Sequence, residues 1–144
     1  MKKMKFNVNA QSEGLTLKAK AGKHEIVLDE GAQMGGKDLG PNPLQNVLAA
    51  LASCENVTGH IIAREMNFDL QQIEFSITGE FDPRGFMGDP NIRPYFETIT
   101  VEAKVTTNEP EERLNELQAK VEARCPVYTL LKAADVKLND SWIK

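Results

Sequence analysis

Two cysteines, Cys54 and Cys125, carry most of the chemistry this chain could do. A thiol is a nucleophile only as thiolate, which needs a nearby cation or a helix N-terminus. Cys54 falls inside a long apolar segment with no basic residue in its own turn. It reads either as a small core residue or as a reactive thiol activated from elsewhere in the fold or by a second subunit. Cys125 stands between Arg124 and Pro126, at or just before an expected helix start. Cation and dipole both favour thiolate there; the plainer reading is a cap-region residue. The two lie 71 positions apart (125 − 54), so only tertiary structure can join them. They form either an inert pair or a redox pair, since two cysteines in 144 residues are no disulfide scaffold.

The other candidates are weaker. With His24 and His60 as the two histidines and no C-x-x-C, no metal site is expected. His60 reads as packed or solvated. Glu55 reads as a solvated charge or as a group reaching a site from the helix flank. Gly35-Gly36-Lys37 lacks the spacing of a phosphate-cradling loop, and no cofactor is expected. Arg84 and Arg93 are surface residues by default, but the company of Phe86 and Met87 makes a pocket lip an option.

Some framework must position these residues. The chain has 144 residues, 41% hydrophobic, enough for one domain over 1–144 with a real core. A formal net charge of -4 excludes the electrostatic footprint of a nucleic-acid partner. No apolar run approaches the roughly 20 residues of a membrane helix, so no membrane partner is expected. Met1 to Phe6 is basic, but Asn7, Asn9, Gln11, Ser12 and Glu13 follow where a signal peptide would be apolar. A cytoplasmic location is expected.

Three half-buried strands are predicted from alternation: Phe6, Val8, Ala10; then Leu15, Leu17, Ala19; then Ile26, Leu28. Their breaks fall at Ser12-Glu13-Gly14 and Ala21-Gly22-Lys23. A glycine-rich loop precedes a helix from Asn42, a cap, to about Met66. Val47, Leu51, Cys54, Thr58 and Ile61 form one face of that helix, and Leu44, Leu48, Ala49, Ala50, Ala52 and Ile62 widen it. A helix apolar on most sides hints at cover from a second subunit. Two long strands centre on Ile73–Phe81 and Ile99–Val105, separated by an irregular loop from Asp82 to Pro90. A helix begins near Pro110 and stops before Pro126, a shorter one runs to Ala134, and Val136 and Leu138 mark a last strand. The order is β-β-β-α-β-β-α-α-β, an α+β domain with mostly antiparallel sheet.

Gly40-Pro41-Asn42-Pro43-Leu44, the helix segment Ala52-Ser53-Cys54, and Arg124-Cys125-Pro126-Val127 together resemble the OsmC/Ohr family, named for osmotically inducible protein C and organic hydroperoxide resistance protein. Asp82-Pro83-Arg84-Gly85-Phe86-Met87-Gly88 and Ala63-Arg64-Glu65 are similar to OsmC-like sequences too. The resemblance implies an intertwined homodimer, with sheets wrapped round two long central helices. It implies thiol-dependent reduction of small organic hydroperoxides, with Cys54 peroxidatic, Cys125 resolving, and a dithiol reductant restoring both. Two family features are missing. Leu44 stands where the peroxidases carry glutamate, and their N-terminal-strand arginine has no counterpart, the first arginine here being Arg64. Arg84, Arg93 or Arg124 could substitute across the dimer, with Glu55, Phe86 and Met87 near the pocket. Slow peroxidase chemistry is the expectation. The alternative is a non-catalytic relative that binds a small apolar ligand or regulates thiol–disulfide balance.

Overall fold

Two tight turns build the N-terminal sheet of the computed structural model, which describes residues 1–144. Gly14 (φ 60°) and Gly22 (φ 64°) take left-handed backbone that side-chain-bearing residues rarely adopt. They join β1 (Asn9–Glu13), β2 (Thr16–Ala21) and β3 (His24–Leu28) into an antiparallel meander. Pairing Glu13 with Thr16 fixes the register as far as Asn9 with Lys20. The first strand therefore lies later than its apolar alternation suggests. Phe6 and Val8 fall before it and are exposed, and the polar β1 is held by its backbone ladder as an edge. After β3 the chain folds round Asp29, which is buried. Its carboxylate accepts the Thr16 hydroxyl at 2.8 Å and the backbone N–H groups of Glu30, Lys37 and Leu39. Burial pushes this carboxyl up, but those bonds outweigh it and hold it below its usual range.

The chain divides into two compact units, Met1–Val47 and Leu48–Lys144. Helix α1 (Pro43–Met66) runs from the first into the second. Asn42 Oδ1 accepts the Gln45 N–H at 2.8 Å, while Gln45 Oε1 accepts the Asn42 N–H at 2.9 Å. This reciprocal cap, with Pro43 at the first position, starts the helix at the expected residue. It ends at Asn67 (φ 54°), where the Phe68 N–H reaches back to the Ala63 carbonyl.

The second unit holds β4 (Gln72–Glu80), the one-turn α2 (Pro83–Phe86), β5 (Thr98–Thr106), α3 (Glu111–Arg124), α4 (Pro126–Ala133) and β6 (Lys137–Ile143). The sheet order is β4-β5-β6, antiparallel then parallel. Parallel pairing of β5 with β6 needs a crossover, which α3 and α4 supply. Helix α2 lies inside the loop expected to be irregular, with the Asp82 carboxylate capping Arg84 N–H at 3.0 Å ahead of Pro83. Ile99, Val101, Ala103 and Val105 put the inner face of β5 in the core, with Leu114, Leu117 and Val121 of α3 also buried. Gly59 lets α1 approach the sheet closely: a Cβ there would lie 3.0 Å from the Trp142 ring. That indole also meets Phe75 edge-on at 6.1 Å. The Gln118 side chain covers the free edge of β6, its amide donating to Asp140 O at 3.0 Å and accepting Trp142 N–H at 3.3 Å.

The buried stripe of α1 differs from the expected face. Leu51, Glu55, Gly59, Ile62 and Ala63 are buried, whereas Val47, Val57 and Ile61 are exposed. The helix is turned by about one residue, roughly 100°, because the Gly59 notch takes Trp142.

Candidate functional site: two thiols beside a buried carboxyl cluster

Cys54 lies half-buried in the middle of α1, and both cysteines are free thiols. Cys125 is fully buried at the junction of α3 and α4, closing one helix and capping the next. Pro126 forces this break, since the residue before proline is driven out of helical backbone; Cys125 takes φ -69°, ψ 118°. Its N–H donates to Val121 O at 2.8 Å, its carbonyl accepts the Thr129 N–H at 2.9 Å, and Sγ accepts the Tyr128 N–H at 3.4 Å. The residue's backbone is thus tied to both helices, and its sulfur to the first turn of α4.

Cys54 is a neighbour of Cys125 in the fold. Burial pushes the Cys125 thiol up to about 11, against the pull of the Tyr128 N–H, and the neighbouring Cys54 side chain adds to the rise. The expected thiolate-favouring cap is present in its geometry, but desolvation outweighs it. The expected cation is also engaged elsewhere: Arg124 reaches Glu65 with two bonds, at 2.6 and 3.1 Å.

Neither of the other candidate arginines is free. Arg84 is turned onto Asp82, and Arg93 donates to the carbonyls of Phe96, Glu97 and Asp135 while lying over the Tyr95 ring at 4.9 Å. Phe86 and Met87 are strongly exposed. No three His, Cys, Asp or Glu side chains converge as a metal-ligand set.

Glu55 overturns the solvated-charge expectation. It has 0% exposure, and its Oε1 accepts the Trp142 indole N–H at 3.3 Å. Beside it sits Asp140 of β6, a residue that sequence reasoning missed. Glu122 of α3 completes the acidic cluster, accepting the Tyr128 hydroxyl at 3.2 Å. The missed signal was a period of two: in Lys137–Ile143, Asp140 shares its face with Leu138 and buried Trp142. Burial first, then the facing carboxyl, pushes Glu55 up, and burial also raises Asp140.

Residues 35–139 match the family model of OsmC-like proteins. Among solved structures, the OsmC-like protein of Mycoplasma pneumoniae superposes with a TM-score of 0.83 at 21% identity, over 98% of this chain and 99% of that one. An organic hydroperoxide resistance protein of Elizabethkingia anophelis gives 0.78 at 15%, over 100% and 99%. A third, OsmC of Legionella pneumophila, described as a predicted redox protein, gives 0.74 at 17%, over 98% of each chain. At these identities the likeness carries the α+β fold. No curated protein matches the sequence. No helix is long and apolar enough to cross a membrane.

Proposed function

The chain belongs to the OsmC-like family, and on that premise we propose that it reduces organic hydroperoxides, with Cys54 peroxidatic and Cys125 resolving. One observation carries the reading: of two adjacent free thiols, Cys54 is partly open to solvent and Cys125 is sealed. A peroxide can reach one sulfur; the other waits behind it.

The chemistry follows from that asymmetry. The Cys54 thiolate attacks the terminal oxygen of ROOH. An S–O bond forms as O–O breaks, and the alkoxide takes a proton and leaves as alcohol. Cys54 is now a sulfenic acid, oxidised by the pair of electrons the peroxide gained. Cys125 then attacks the sulfenic sulfur: S–S forms, S–O breaks, and the departing hydroxide takes the Cys125 proton and leaves as water. An external dithiol returns both thiols by exchange. Burial that keeps Cys125 protonated also protects it from direct oxidation.

A second copy would cover the exposed apolar stripe of α1, where Val47, Val57 and Ile61 flank Cys54. A homodimer of this kind buries more than about 2,000 Å², and light scattering from a folded monomer at micromolar concentration would exclude it. With Leu44 in place of the family glutamate, turnover should be slow. A cation for Cys54 would come from Arg84, Arg93 or Arg124 across the dimer interface, each leaving its present partner. Cys54 alkylation by iodoacetamide at an unchanged rate in all three alanine variants would rule out that role.

The deciding experiment is consumption of an alkyl hydroperoxide with a dithiol reductant. Wild type should turn over and Cys54→Ser should not. If wild type is inert while both thiols stay reduced, the family alternative takes precedence: a protein that binds a small apolar ligand against Phe86 and Met87.

A further inference from the structure

Three buried oxygens in the second unit have no hydrogen-bond donor: Glu55 Oε2 and both carboxylate oxygens of Asp140. Two buried carboxylates side by side cannot both be charged without a compensating cation. None is present, for neither residue takes part in any of the chain's five ion pairs. The groups facing them are anionic or neutral: Glu122 from α3, the Tyr128 phenol from α4 and the Trp142 indole from β6. The indole N–H is already spent on Glu55 Oε1. One proton resolves the conflict, turning one carboxyl into the donor the other lacks.

We propose that Glu55 and Asp140 share a single proton and thereby act as positioning residues for the Cys54–Cys125 couple, a role that rests on reading those thiols as a redox pair. Glu55 is the next residue after Cys54 on α1. Asp140 belongs to β6, which Gln118 ties to α3, and α3 ends at Cys125. The shared proton therefore joins the element that carries one sulfur to the frame that carries the other. Burial raises both carboxyls, so the proton is retained at neutral pH and lost in alkali. Its loss leaves two like charges between α1 and β6, pushing the helix and its thiol away from Cys125.

The test uses the reduced full-length protein. Infrared difference spectra should show a protonated carboxyl C=O stretch at about pH 7 that disappears on raising the pH toward about 10. Trp142, the single tryptophan, should change its emission over the same range. Glu55→Gln supplies a permanent donor and should lack both changes. Closure of the cysteine pair by diamide, which oxidises two thiols without peroxide, reads the sulfur alignment. The wild-type rate divided by the Glu55→Gln rate should fall roughly fivefold across that pH range, the scale of one hydrogen bond's net contribution. Should Glu55→Gln fail to fold, Asp140→Asn serves instead, with the infrared transition moved to lower pH. Absence of the band at neutral pH, or its survival in Glu55→Gln, overturns the shared proton. A rate ratio independent of pH overturns the positioning role. If diamide closes the pair but hydroperoxide is not consumed, the peroxidase reading fails and this one stands. If diamide closes it in neither protein, the redox couple and the positioning role fall together, and the infrared band still decides the proton.

Discussion

Replacing Glu55 by glutamine should stabilise the protein, by an amount that depends on pH. Burial, then the facing Asp140, pushes the Glu55 carboxyl from 4.5 up to about 9. The sign follows from linkage. A carboxyl raised on folding favours the folded state fully below its unfolded value, and that benefit is lost as pH climbs toward the folded value. At about pH 7 the unfolded chain has released this proton and the folded chain has kept it. The interval from 4.5 to 7 spans 2.5 units. At ~1.4 kcal/mol per unit, the upper limit is about 3.5 kcal/mol. Glutamine does not titrate, keeps an acceptor for the Trp142 N–H and offers Asp140 a donor. Urea denaturation at one protein concentration should therefore show a gain of about 1–3 kcal/mol near pH 7 and almost none near pH 4. Asp29, held ionised by its four donors, weakens both proteins alike in acid and cancels from the difference. Equal gains at the two pH values, or a loss at pH 7, would refute the reasoning.

Cys125→Ser should permit one round of peroxide reduction and block the next, with Cys54 sulfenic acid accumulating; mass spectrometry after one equivalent of peroxide reads it. Leu117→Ala, at a fully buried position in α3, should cost about 2–5 kcal/mol by urea denaturation without altering Cys54 alkylation in the folded protein. Asn42→Ala removes half of the reciprocal cap of α1 and should cost about 0.5–2 kcal/mol, a loss that Asn42→Asp should largely avoid.

Features set by local chemistry were legible in the sequence. Asn42-Pro43 starts α1, Pro126 separates α3 from α4, and Gly14 and Gly22 make the hairpins, each acting through its own backbone. Alternation placed β4 and β5 for the same reason: one face of each must leave water. What depends on distant partners was not legible. The true buried stripe of α1 was hidden because Ala, Leu and Val lie on nearly every side of the helix, and Trp142, from the far end of the chain, selects among them. That choice buries Glu55, which looks like a surface charge until Asp140 and the indole are in place. Strand β1 was misplaced because an exposed edge needs backbone partners, not apolar side chains. The cysteine pair could be named by resemblance, but the burial that differentiates the two sulfurs is a property of the packed chain.

The parallel seat of β6 has a consequence for how the protein is born. During synthesis α1, both long strands and the crossover helices leave the ribosome before β6 does. Until then β5 has an open edge where β6 will pair, Gln118 has no strand to bind, and Glu55 has neither indole nor carboxyl partner. A carboxyl without these neighbours ionises freely and keeps its part of α1 wet. The site is thus completed by the last of its own elements to emerge. An incomplete nascent chain holds Cys54 on a loosely seated helix, and a chain stopped short of Trp142 exposes a sheet edge, a liability for aggregation and a handle for proteases.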